Sequence, residues 1–150
     1  MSADVAASVE ISTDPARLDR DMVHRYLSEE AYWARGRSRD VTERAIAHSM
    51  PFGVYVDGRQ VGFARVVTDR ATFAWLADVF ILPSRRGHGL GKRLVETILG
   101  HPELRGVKRW FLATADAHGL YRRYGFEELR DAGRFMAVES SRDARDCADG

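Results

Sequence analysis

The chain has 150 residues, a formal net charge of +1 at pH 7 and 45% hydrophobic residues, which suit a globular domain. So small a net charge argues against a broad basic face for nucleic acid. The sole cysteine, Cys147, excludes a disulfide framework or a cysteine-rich metal site, and the histidines lack metal-binding spacing, so no metal is expected. No apolar run is long enough to span a membrane and no signal peptide is evident, which indicates a cytoplasmic protein.

Residue composition sets the expected boundaries of the domain. Residues 1–8 and 140–150 are polar or small, and we expect both ends to be disordered. Residues 9–139 contain no linker and no internal repeat, so they are predicted to form a single domain.

Helical spacing dominates the first third of this domain, after a first strand at Val9–Ser12. Apolar residues recur at the period of a helix from Asp19 to Trp33. Asp40 is the expected N-cap of a second helix, which would cover residues 41–50.

Three β-rich segments follow and predict an antiparallel meander. Asp57-Gly58 separates the first two segments and is a typical dipeptide of a two-residue hairpin turn. The third segment contains Asp78, a lone carboxylate in an otherwise apolar strand. The expected strands cover residues 52–56, 60–68 and 72–82, and a helix (90–99), a strand (109–114), a helix (116–123) and a closing hairpin (126–129 with 134–139) come after them.

A basic, glycine-rich loop joins the third strand of the meander to the next helix. Its glycines can turn several backbone N–H groups toward one anion, and the helix start adds unpaired donors and a positive dipole end. A P-loop is disfavoured because Arg93 occupies the position of its hydroxyl residue, and a dinucleotide fingerprint is disfavoured because Lys92 replaces its third glycine. The loop therefore predicts a phosphate or pyrophosphate site of another kind.

Two motifs resemble those of the GNAT-type N-acyltransferases. Arg86-x-x-Gly89-x-Gly91 is similar to the acyl-CoA pyrophosphate loop of that family. Ala117-x-x-Leu120-Tyr121-x-x-x-Gly125-Phe126 is similar to its second signature, and both occur in the family's order. The sequence departs from the family pattern at Thr114, where many members carry an asparagine with more hydrogen-bonding groups.

The resemblance implies an α/β fold with a central mixed sheet and helices on both faces. It also implies that the strand ending near Leu82 and the strand over 108–114 splay apart, so that acyl-CoA enters the gap. The implied contacts to pantetheine and thioester are Val79, Phe80 and Ile81. Those to pyrophosphate are Arg86, Gly87, His88, Gly89, Leu90, Gly91 and Lys92.

Two residues are candidates for acid–base chemistry. The resemblance places Tyr121 as the acid that protonates the leaving thiolate, and its ordinary pKa of about 10 keeps it protonated at neutral pH. Burial is expected to raise the pKa of Asp78, which would suit a general base. A structural aspartate bonded to an arginine such as Arg65 is the alternative.

The implied activity is transfer of an acetyl group from acetyl-CoA to a primary amine by direct attack in a ternary complex. In the family fold the first two helices and their connection roof the acceptor pocket, which makes Tyr32 and Trp33 candidates for substrate binding; a place in the core is the alternative. Arg35 and Arg37 would suit an acidic group on the acceptor. The acceptor, a small molecule or a peptide, and a homodimer both stay open.

Two other functions compete with this interpretation. A noncatalytic acyl-CoA sensor with the same fold would be favoured by a nonpolar residue at position 78 or 121, and neither is present. An ATP-binding module is disfavoured by Arg93.

Overall fold

The computed structural model describes residues 8–140. Apart from Ser8 and Ser140, the ends expected to be disordered lie outside the described residues. Ser8 is hydrogen-bonded to Asp57 through both its N–H and its carbonyl. The chain divides into two compact units, Met1–Ala117 and His118–Gly150, which are described separately, and the single domain over 9–139 stays a prediction. None of the helices within residues 8–140 has the length and apolar character needed to cross a membrane.

The first unit contains a five-stranded mixed sheet. Its strands lie in the order β1-β2-β3-β4-β5; β1 to β4 pair antiparallel, and β5 pairs parallel to β4. The elements are β1 (Val9–Ser12), α1 (Arg20–Glu29), α2 (Arg39–Ala47), β2 (Met50–Val56), β3 (Arg59–Thr68), β4 (Ala74–Ile81), α3 (Leu90–Leu99) and β5 (Trp110–Phe111), and the second unit contains α4 (His118–Arg122).

Helices cover both faces of this sheet, as expected. Phe63 and Phe80 pair across β3 and β4 and pack with the apolar residues of α1 and α2 in one buried cluster. Phe52 lies opposite Ala64, the neighbour of Phe63, so its side chain projects to the other face. There it contacts the ring of His101, which follows α3. The α/β fold with a mixed sheet is therefore confirmed.

Backbone conformation explains the β2–β3 hairpin turn, and a side-chain hydrogen bond explains where α2 begins. Asp57 and Gly58 both have positive φ, 51° and 83°, which suits the tight hairpin predicted between β2 and β3. The prediction of Asp40 as N-cap was wrong. Ser38 is the N-cap because its backbone is extended and its Oγ accepts the N–H of Val41 at 3.2 Å. Asp40 instead lies in the first turn.

The last predicted strands differ most from the structure. Strand β5 has two residues, whereas residues 109–114 were expected to be extended. Residues 126–140 form no strand, so the closing hairpin was wrong. Two hydrogen bonds close a 3₁₀ turn at Ala132–Arg134, and the apolar side chains of Met136 and Val138 are 95% and 97% exposed. A hairpin that buries no apolar face has little to stabilise it.

We predict that Gly62→Ala destabilises the fold. A Cβ at this position would lie 2.6 Å from Cδ1 of Ile81 and 3.0 Å from the carbonyl oxygen of Phe80. Overpacking of this kind costs about 1–3 kcal/mol, which should lower Tm by roughly 2–10 °C. Gly106→Ala is the control, because a Cβ there meets nothing within 4 Å. Equal melting temperatures of the two variants would contradict the close packing between β3 and β4.

Candidate active site

A β-bulge in β4 places Asp78 at the centre of the candidate site. Phe63 pairs with Phe80, but Arg65 pairs with Ala77, so two residues of β4 lie opposite one residue of β3. Asp78 is one of those two, and its φ is +53°. Aspartate tolerates this left-handed conformation better than most residues. The bulge therefore turns the backbone immediately before Val79–Ile81.

Three side chains together satisfy the two carboxylate oxygens of Asp78. Trp33 Nε1 donates to Oδ1 at 2.8 Å. Arg37 Nη1 and Arg65 Nε donate to Oδ2 at 2.7 and 2.6 Å. The Asp78 side chain is 3% exposed, so a charge here depends on these donors. Ser49 Oγ accepts a further hydrogen bond from Arg65 at 3.1 Å, which fixes that guanidinium.

The expected rise in the pKa of Asp78 was wrong. Burial by itself would raise this pKa, but the hydrogen bonds and charges of Arg37 and Arg65 outweigh burial and lower the pKa below its usual range. Asp78 is therefore a carboxylate at neutral pH, and a weak base. The alternative from the sequence, an aspartate paired with Arg65, describes its contacts.

The loop between α1 and α2, residues 30–38, is hydrogen-bonded both to β4 and to the segment that follows β5. Trp33 binds Asp78 of β4, and the hydroxyl of Tyr32 accepts the N–H of Ala115, beyond β5, at 2.9 Å. The two rings contact edge to face with centroids 5.0 Å apart. Tyr32 and Trp33 are 49% and 40% exposed, so neither belongs to the core. Their role in substrate binding stays a prediction.

The predicted splay lies between β4 and β5. The two strands pair only at Ala74–Trp110 and Trp75–Phe111. Among residues 8–140, no strand pairs with this edge of β4 from Leu76 to Ile81. Of the three residues predicted to contact the cofactor here, Phe80 points its ring into the core, where it stacks on Tyr26 at 4.0 Å. Contacts at this edge therefore depend on the backbone.

The glycine-rich loop has the geometry of an anion site. Gly87 and Gly89 have positive φ, 85° and 78°, and a Cβ on either would meet nothing within 4 Å. Within the described part of the chain, the N–H groups of Gly87, His88 and Gly89 have no hydrogen-bond partner. Helix α3 begins at Leu90, directly after Gly89, so its first N–H groups continue the same row of donors.

The side chain of Arg86 donates two hydrogen bonds within the protein. Its Nε donates to the carbonyl of Ile81 at 3.0 Å, and its Nη2 donates to the hydroxyl of Tyr26 at 2.7 Å. Arg86 thus ties the loop to the end of β4 and to α1. Arg85 and Lys92 are exposed and add positive charge to the same segment.

The second motif lies at the junction of the two units. Thr114 Oγ1 accepts the N–H groups of Asp116 and Ala117, so this hydroxyl stabilises the turn that precedes α4. Tyr121 lies in α4 of the second unit; it is buried, and its ring contacts Phe126 edge to face. Its assigned role stays a prediction.

Sequence reasoning did not anticipate that Trp33 and Arg37 both bind Asp78. Trp33 and Arg37 precede Asp78 by 45 and 41 positions, and no local spacing reveals such a contact. The one available signal was the lone carboxylate in an apolar strand, because a buried charge requires partners.

Comparison with known proteins identifies the family. The model of the Acetyltransferase (GNAT) family matches residues 20–126, and the chain belongs to this family. A candidate acetyltransferase of Gibberella zeae is 31% identical over 144 residues, with 81% of this chain and 80% of that protein covered.

Two solved structures show the same fold. A candidate GNAT acetyltransferase of Xanthomonas campestris has a TM-score of 0.86 and 48% identity, with 89% of this chain and 94% of that one covered. An aminoglycoside N-acetyltransferase, solved in complex with CoA, has a TM-score of 0.65 and 18% identity, with 93% and 99% covered.

We predict that Asp78→Asn lowers the free energy of unfolding by about 3 kcal/mol near neutral pH, because a buried ion pair loses one partner. The pKa of Asp78 is lower in the folded than in the unfolded state, so its stabilisation is complete above the unfolded value of about 3.9 and lost as pH falls through the lower folded value. Denaturant unfolding from pH 2 to 8 should show the difference between the two proteins shrinking below about pH 4.

Asp116→Asn is the matched control, because this aspartate is exposed and forms no ion pair within residues 8–140. A loss of stability at position 78 that stays the same down to pH 2 would contradict the ion-pair explanation.

Proposed function

We propose that the chain transfers an acetyl group from acetyl-CoA to a primary amine, by direct attack of the amine on the thioester. The observation that carries this proposal is the row of N–H groups at Gly87–Gly89, which have no partner within residues 8–140, beside a β4 edge with which no described strand pairs. Membership of the GNAT family supports acetyl transfer.

The residues of the loop fit the pyrophosphate of CoA. Its donors are backbone amides that continue into the start of α3, and an anion at a helix N-terminus gains from the helix dipole. The open space where side chains would stand at Gly87 and Gly89 leaves room for phosphate oxygens. In this proposal the amides from Gly87 onward hold the pyrophosphate; the N–H of Arg86, the first residue of the expected segment Arg86–Lys92, already donates to the carbonyl of Pro83 at 3.3 Å.

The edge of β4 fits the extended pantetheine arm. An extended chain can add to a strand edge through backbone hydrogen bonds. Val79, Phe80 and Ile81 would supply those groups, with Phe80 contributing only its backbone because its ring is buried. Acetyl-CoA supplies the activated acetyl group as a thioester.

The chemistry then needs an oxyanion donor and an acid. A backbone N–H on the β4 edge can stabilise the oxyanion that forms when the amine attacks. Tyr121, protonated at neutral pH, is the proposed donor of the proton to the departing thiolate. The amine loses its own proton to solvent or to a base.

Asp78 is proposed as a positioning residue. As an ionised carboxylate that accepts three hydrogen bonds, it holds Trp33 and Arg37 of the α1–α2 loop against β4. The general-base role expected from the sequence makes a different prediction, which is loss of the acidic limb of the rate–pH profile in Asp78→Asn.

We predict that acetyl-CoA at about a hundred times its Kd stabilises the protein by roughly 2.7 kcal/mol, and that Gly89→Glu abolishes this. The new side chain would place bulk and negative charge in the loop. Thermal unfolding with and without acetyl-CoA measures the effect.

Gly58→Glu is a matched control, because Gly58 also has positive φ and open space but lies in the β2–β3 turn. It should melt at a lower temperature and keep the shift caused by acetyl-CoA. If acetyl-CoA raised the melting temperature of Gly89→Glu as much as that of the wild type, the assignment of the loop would be wrong.

We predict that Tyr121→Phe lowers kcat by about 10²–10⁴ and changes the Kd of acetyl-CoA little, since the ring remains and only the acid is lost. Release of free thiol with a panel of amines measures turnover. Tyr124→Phe removes a hydroxyl from the same segment and should retain activity. If acetyl-CoA binds but no amine releases thiol, the chain is a sensor and not an enzyme.

A further inference from the structure

The cluster formed by Asp78, Arg37 and Arg65 carries more positive than negative charge. Two guanidinium groups bind one carboxylate, and both do so through the same oxygen, Oδ2. Neither arginine therefore forms the two parallel hydrogen bonds of a bidentate pair with Asp78. The cluster keeps a net charge of +1, which one further carboxylate would balance.

Most N–H donors of the two arginines have no partner among residues 8–140. An arginine has five such donors; Arg37 uses one of them within the described residues, and Arg65 uses two. The buried polar atoms without a partner in this part of the chain include no guanidinium nitrogen. Each nitrogen without a partner therefore keeps some accessible surface, although the two side chains are only 19% and 16% exposed.

This cluster lies beside the proposed position of the acetyl group. Asp78 immediately precedes Val79–Ile81, and Arg37 belongs to the same loop as the exposed rings of Tyr32 and Trp33. A largely buried guanidinium pair is a favourable place for a carboxylate, because planar forks match its geometry and burial strengthens the attraction.

We propose that Arg37 and Arg65 bind the carboxylate of the acceptor, so that the substrate is an amine that carries its own carboxylate, such as a free amino acid. This inference rests on the proposed function. The site then orients the nucleophile by its carboxylate.

The test compares matched acceptors. Each amino acid in a panel, for example tryptophan, histidine and lysine, is assayed beside its decarboxylated amine and its methyl ester. The wild-type protein should favour the acids in kcat/KM by about 10- to 100-fold, the value of charge-assisted hydrogen bonds. Equal or better rates with the decarboxylated amines would overturn the proposal, and a preference for phosphoethanolamine would show that the anion is a phosphate.

Variants locate the effect. Arg37→Gln should raise KM for the preferred acid by about 10- to 100-fold with a smaller change in kcat, and should lose the preference for acids. Arg37→Lys keeps the charge but lacks the planar guanidinium, so its KM for the preferred acid should lie between those of the wild type and Arg37→Gln. Arg59→Gln is the matched control, because Arg59 is exposed in β3, the strand that also carries Arg65, and has no ion-pair partner within residues 8–140; it should behave as the wild type. An unchanged preference in a folded Arg37→Gln variant would overturn the assignment.

A binding measurement separates the two proposals. Calorimetry titrates the same acids and amines into the protein with CoA present, in the wild type and in Arg37→Gln. If no amine of any kind is acetylated, the N-acetyltransferase proposal fails, whereas a preference for acids that depends on Arg37 still supports the carboxylate site. If amines are acetylated without any preference for acids, the N-acetyltransferase proposal stands and the carboxylate-site proposal fails.

Discussion

The carboxylate of Asp78 is the interaction on which the candidate site depends. It stands at a bulge in β4, in a left-handed backbone conformation, and it is almost completely buried. A buried charge is costly, and three donors offset that cost here. Two of the donors belong to the α1–α2 loop and one to β3, so the requirement to neutralise one charge joins three parts of the chain.

The same contacts explain how an exposed loop acquires a defined position. Tyr32 and Trp33 expose much of their surface, and burial alone would not hold them. Hydrogen bonds to Asp78 on one strand and to Ala115 beyond the next strand bind the loop across the gap between β4 and β5. The gap, in turn, exists because the two strands pair over only two residues each. At the other end of β4, Arg86 connects the glycine-rich loop to Tyr26, so polar contacts hold both loops that border this edge.

Backbone groups and side chains contribute different interactions to the candidate site. The glycine-rich loop presents backbone amides, which suit any phosphate and carry little information about the rest of a ligand. Side chains of the α1–α2 loop and β3 provide the charges and aromatic surfaces that can distinguish one acceptor from another. In the proposed function, recognition of the cosubstrate and recognition of the acceptor would therefore use separate parts of the first unit.

The sequence by itself determined the features that depend on local chemistry. The Asp57-Gly58 turn, the start of α3 after Gly89 and the meander of three strands follow from backbone preferences and side-chain periodicity, and they are present as predicted. The two motifs also identified the family, which the comparisons confirm. Only the tertiary structure decided the ionisation of Asp78, because burial and ion pairing shift a pKa in opposite directions and the outcome depends on groups 13 and 41 residues away. The sequence also could not show that Arg86 binds Tyr26, because the two residues lie 60 positions apart and no local pattern encodes such a contact. Residues 126–140 form no hairpin because the apolar side chains of Met136 and Val138 are left exposed, and burial is decided by the tertiary structure.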